Sequence, residues 1–184
     1  TEALTHTHLS CLLNAMIGNN LNYTEIKEVK VTCFAQAYDI LFDPTKYRPE
    51  SRETADHSLP YCLAAAMVDK KITTESFSDE KLNDPRIFEV IDKIKGVPSQ
   101  EFEKMFPAKQ PSRVVVTTND GREFSEYLEY PKGDPREPMT MEDLENKFNS
   151  LAGDKFDAKA KEQIKKKIFN CEEMSVCEFM SSLN

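Results

Sequence analysis

The chain has 184 residues, with 24 lysines and arginines against 32 aspartates and glutamates, a net charge of -8. That balance argues against nucleic acid or an anionic membrane surface as the main partner. An apolar content of 39% arranged in periodic blocks makes the chain globular rather than disordered, long enough for one substantial domain or two small ones.

In chain order, Leu4–Ile17 places apolar residues on overlapping helical stripes, and Gly18-Asn19-Asn20 stops that helix. Ile26–Cys33 reads as a half-buried strand with its lysines outward, and Ala35–Leu41 as a short helix ending before Asp43-Pro44. A polar, basic loop over Asp43–Thr54 carries Lys46, Arg48 and Arg52 into Arg52–Met67, the most distinctive stretch of the sequence. There, polar residues give way to an apolar helix over Leu59–Val68, capped by Asp56 or Ser58, with Pro60 in its first turn. His57 then stands at a helix N-terminus, where the macrodipole favours an anion and disfavours an imidazolium. With Arg52 just upstream, this suits a carboxylate substrate. The plainer reading is a capped, buried helix whose histidine bonds a neighbouring carbonyl.

Further on, Ser78–Leu82 predicts one helical turn, and Asp84-Pro85 opens a helix to Ile94 with Ile87, Phe88, Val90, Ile91 and Ile94 inward. Gly96–Ser99 reads as a turn and Glu101–Phe106 as a short amphipathic segment. Val114–Thr118 and Glu123–Tyr130, joined through Asn119-Asp120-Gly121, form a hairpin. After a proline- and glycine-containing loop over Pro131–Pro138, Thr140 caps a helix carrying Leu144, Phe148 and Leu151 inward. Ala158–Asn170 is lysine-rich with a narrow apolar stripe, and Ser175–Leu183 predicts a last short helix. Three strands interleaved with helices give an α+β, two-layer sheet-and-helix fold over residues 1–131, followed by a helical tail over 132–184.

The residues able to carry chemistry are few. His6 and His8 point to different sides of a helix and cannot share a metal. Each alone is more often structural, but with His57 they form the pool for proton exchange near neutral pH. The five cysteines (Cys11, Cys33, Cys62, Cys171, Cys177) show no zinc spacing, and three sit in apolar runs. They point to a reducing, intracellular compartment. No phosphate-cradling loop or nucleophile elbow occurs. No apolar run approaches membrane-spanning length, and the chain begins without methionine inside an amphipathic segment, as a processed or truncated product would.

Thr54-Ala55-Asp56-His57-Ser58-Leu59-Pro60-Tyr61 resembles the histidine signature of the 2-methylcitrate dehydratase family (MmgE/PrpD), which includes cis-aconitate decarboxylase and iminodisuccinate epimerase. Thr5–Met16, Glu25–Val31, Asp84-Pro85-Arg86, Val114–Tyr130 and Tyr130–Phe148 are similar, in order and spacing, to further segments of that family. The resemblance implies a chorismate-mutase-like lid domain with C-terminal helices that pack on an N-terminal helical domain outside this sequence. It also implies a cytoplasmic homodimer (or a mitochondrial matrix enzyme in a eukaryote) that needs no cofactor and no metal. The implied reaction is proton abstraction next to a carboxylate of a small polycarboxylate, with loss of water as in 2-methylcitrate dehydration. Decarboxylation of cis-aconitate and epimerisation are the alternatives, and a non-catalytic dimerisation or interaction module is the alternative of another class. His8 and His57 take the catalytic positions, His8 matching one where the family carries histidine or glutamine. His6, Arg52, Ser58 and Tyr61 are placed at the substrate. The chain alone is expected to fold without turnover, to bring His8 and His57 to one solvent-reachable cleft, and to self-associate through apolar surface at Leu4–Ile17 and Ser175–Leu183.

Overall fold

The computed structural model describes residues 1–181, apart from the side chain of Asp154. The chain separates into two compact units, the first spanning Thr1–Pro138 and the second beginning at Met139. In the first unit a 3-10 turn, Ala3–Thr5, leads into α1 (His6–Gly18), followed by β1 (Ile26–Cys33), α2 (Ala35–Leu41), α3 (Arg52–Asp56) and α4 (Leu59–Asp69). Next come α5 (Asp79–Leu82), α6 (Pro85–Ile91), β2 (Ile94–Pro98), α7 (Gln100–Met105), β3 (Ser112–Thr118) and β4 (Glu123–Leu128). The second unit holds α8 (Met141–Ala152), α9 (Ala158–Phe169) and α10 (Val176–Ser181). The helix expected through Leu183 is thus described only to Ser181, and its end lies outside the described residues.

The sheet runs β2-β1-β3-β4, with β2 parallel to β1 and the other pairs antiparallel. Val29 and Val31 of β1 pair with Val116 and Val114 of β3 and with Ile94 and Gly96 of β2. Cross-strand partners share a face, and this face is the buried one. Helices α1 and α4 close it, α1 over β3 and β4 and α4 beside β2, while α6 packs on α4. α4 is buried from Leu59 through Met67, and each large apolar side chain taken from water there contributes ~1.5–3 kcal/mol. The result is the expected α+β arrangement.

β2 was not expected. Ile94 ends no helix; it opens an edge strand, and the segment read as a turn at Gly96–Ser99 lies largely within it. An edge position next to one parallel partner tolerates both Pro98 and Gly96. Gly96 is there for space: a Cβ at this position would stand 2.7 Å from the Phe42 ring.

The polar loop expected over Asp43–Thr54 is more ordered than its composition suggests. It contains a 3-10 turn, Pro44–Tyr47, and enters α3 under a reciprocal cap between Ser51 and Thr54. The loop after β4 also belongs to the first unit. Arg136 pairs with Asp134 at 2.8 Å, donates through Nη1 to the Ala108 carbonyl at 2.6 Å and lies 4.0 Å over the Tyr130 ring.

Two expectations about apolar surface fail. The stripe of α1 is internal, with Leu9, Cys11, Leu12, Ala15 and Met16 all buried against the sheet and α4, so it is no sticky face. In α8, by contrast, Leu144 and Leu151 are exposed rather than inward, as are Met141 on the same helix and Ile168 and Phe169 on α9.

Candidate functional site

The first candidate lies where α1 meets β3. Thr5, Thr7 and His8, at the start of α1, are buried. His8 Nδ1 is 2.5 Å from Ser112 Oγ, and Cys11, one helical turn on, points its thiol at the Ser112 carbonyl at 3.5 Å. Burial pushes the His8 imidazole down to about 4, because an apolar surround disfavours the charged ring. Its Nε2 is buried without a hydrogen-bond partner among the described residues. His8 is 1% exposed, so it cannot share a solvent-reachable cleft with His57 in this chain. Burial likewise pushes the Cys11 thiol up to about 11 and those of Cys33 and Cys62 to about 12, which keeps all three inert. His6, two residues before His8, is exposed on the same helix.

The second candidate is the junction of α3 and α4, where the chain breaks its helix for two residues. Ser58 caps α4: its Oγ accepts the Tyr61 N–H at 3.0 Å and donates to the Lys46 carbonyl at 2.6 Å. Leu59, Pro60 and Tyr61 are buried. The α4 N-terminus is therefore capped and closed, and offers no open anion site. The expected substrate contacts of Ser58 and Tyr61 find both hydroxyls in use, since the Tyr61 hydroxyl donates to the Ser76 carbonyl at 2.9 Å inside the core.

His57 is consequently set by the helix before it rather than the helix after it. It is the C-terminal cap residue of α3, and its Nδ1 faces two oxygens, the Glu53 carbonyl at 3.2 Å and the adjacent Asp56 carboxylate. Both groups accept, so Nδ1 carries the proton, and Nε2 is left as the ring's second functional atom. The His57 side chain is 55% exposed and that of Asp56 32%. The Asp56 backbone carbonyl accepts the Glu2 N–H at 3.0 Å, tying the entry to α1 to the end of α3. Arg52 is the first residue of α3, exposed, and unpaired among the described residues. The sequence singled out His57 and Arg52; Asp56, taken there for a cap, is instead the partner of His57. Its signal was its place immediately before the histidine. Ser112, the partner of His8, carries no local signal.

Among the described residues no group of three histidine, cysteine or acidic side chains is placed to hold a metal ion.

Residues 1–172 match the MmgE/PrpD C-terminal domain. The chain belongs to the MmgE/PrpD family. Its relatives include cis-aconitate decarboxylase of Mus musculus, 32% identical over 104 residues, which cover 56% of this chain and 21% of the mouse protein. The human cis-aconitate decarboxylase is 30% identical over 141 residues, covering 73% of this chain and 28% of its own length. That of Aspergillus terreus is 29% identical over 137 residues, with the same coverage. The alignments thus span between 21% and 28% of these curated relatives, and the family contains lyases.

Proposed function

We propose that this chain contributes one wall of the active site of a lyase acting on a small polycarboxylate, and that the reaction is decarboxylation of cis-aconitate. The names of the relatives support the substrate. The observation that carries the chemistry is His57, an exposed imidazole held at Nδ1 by two oxygens. Decarboxylation breaks a C–C bond to release carbon dioxide and needs a proton delivered to the carbon skeleton. In this reading Nε2 of His57 holds and transfers that proton, and Arg52 supplies a two-pronged cation for a carboxylate. Loss of water from 2-methylcitrate uses the same groups in a different order, with proton removal from carbon coming first. The remaining groups belong to an N-terminal helical domain of the same protein, and the assembled enzyme is a homodimer.

The burial of His8 favours a second reading, a non-catalytic interaction module, because a packing domain has no need to expose that ring. Assaying the full-length protein with cis-aconitate and with 2-methylcitrate separates the readings. Release of carbon dioxide from cis-aconitate is expected. Loss of water from 2-methylcitrate alone corrects the reaction, and turnover of neither substrate contradicts the enzymatic reading.

A further inference from the structure

We infer that Asp56 is a positioning residue for His57, holding the ring by Nδ1–H so that Nε2 is the atom that exchanges a proton with substrate; this rests on the proposed role of His57. The geometry has three parts. Among the described residues Nδ1 faces two acceptors and no donor, which assigns its proton. Of the two, the Asp56 carboxylate is charged and makes the closer contact, the Glu53 carbonyl standing at 3.2 Å, so the carboxylate makes the stronger bond. Asp56 is itself anchored, because its backbone carbonyl accepts the Glu2 N–H at 3.0 Å and its residue closes α3.

A neutral imidazole free in water favours the proton on Nε2, the tautomer that cannot accept a proton there. Holding the proton on Nδ1 leaves the Nε2 lone pair available. Nε2 takes a proton from solvent, and the ring becomes a cation. The Asp56 carboxylate remains ionised opposite that charge, accepting a hydrogen bond without taking the proton. When the C–C bond breaks and carbon dioxide leaves, the bonding pair stays on the carbon skeleton; the ring gives its Nε2 proton to that skeleton and reverts to the same neutral tautomer. The plainer role for such a neighbouring pair is a surface ion pair of small value, and that role has no consequence for the tautomer or for turnover.

The test combines a spectroscopic and a kinetic readout. In this 184-residue chain, nitrogen-15 NMR of His57 above neutral pH should show the proton on Nδ1. Asp56→Ala should shift the ring toward the Nε2–H form, and Asp56→Asn, which keeps an acceptor oxygen, should retain Nδ1–H. In the full-length protein Asp56→Ala should lower kcat by about tenfold or more with KM little changed, part of the ~10²–10⁴ that a positioned acid–base group supplies. Asp56→Asn should recover part of that loss. If the tautomer and kcat both ignore Asp56→Ala while His57→Ala is inactive, the positioning role is wrong and the function of His57 stands. If His57→Ala retains full turnover, the functional reading of His57 fails, and the catalytic part of this inference fails with it. A wild-type ring protonated on Nε2 overturns the inference outright.

Discussion

The two histidines that the sequence put forward together live in opposite surroundings. His8 is enclosed between α1 and β3, with one nitrogen bonded to Ser112 and the other without a partner among the described residues. His57 stands at a helix break in contact with water, its Nδ1 held by Asp56 and Glu53. The same side chain is thus a neutral core element in one place and a solvent-facing ring held at Nδ1 in the other. Burial decides between them, since a ring closed off from solvent at the base of α1 reaches no substrate in this chain. The same division runs through their neighbours. Ser58 and Tyr61 serve the core through their hydroxyls, whereas Arg52 is exposed and unpaired among the described residues.

If that division is right, the largest effect on stability comes from the buried side. Tyr61 is fully buried, and Tyr61→Ala should cost about 3–5 kcal/mol by leaving a cavity the size of an aromatic ring. Tyr61→Phe removes only the hydroxyl and leaves the Ser76 carbonyl unpaired, so a loss of about 1–3 kcal/mol is expected. Urea denaturation of the chain measures both. A Tyr61→Phe variant as stable as wild type, but inactive in the full-length protein, would return Tyr61 to the substrate.

The next effect belongs to His8 and depends on pH. Its folded-state pKa of about 4 lies below the ordinary 6.5, so the unfolded chain binds more protons between those values. The stabilisation is therefore fully present above pH 6.5 and is lost as pH falls through 6.5 toward 4. The span of the shift corresponds to ~3 kcal/mol. Denaturation at a series of pH values should show wild type losing that much more than His8→Gln, which has no ring to protonate. Parallel curves for the two proteins would mean that His8 is charged or hydrated in the folded state. Ser58→Ala follows, with about 1 kcal/mol expected for loss of the α4 cap and no specific change in the chemistry at His57.

These contrasts also show what could be read from the chain. The caps at Ser58 and Asp84, the apolar stripe of α1, the continuous burial of α4 and the Asp-Gly hairpin are local features, each written within a few consecutive residues, and each is present in the structure. β2 is not local. Its five residues contain a glycine and a proline, and they become a strand only by lying parallel to β1. Pairing across the fold also hid the environment of His8, because Ser112 lies 104 residues away. At the α3–α4 junction, His57 and Arg52 stand out in the sequence by type and spacing, and both are exposed. The dipole argument for His57 failed because it assumed one helix: a second, α3, ends at this residue and presents oxygens to it. The apolar stripe of α8 was correctly periodic, but periodicity specifies a face and not what covers it; Leu144 and Leu151 are exposed.

The central claim is that the exposed histidine, and not the buried one, carries the proton. His57→Ala in the full-length protein tests it most directly, with turnover of cis-aconitate and thermal stability measured on the same sample. Because the side chain is exposed, stability should change by no more than about 0.5 kcal/mol. Turnover should fall by about 10²–10⁴. A His57→Ala enzyme that keeps its turnover at unchanged stability would contradict the account.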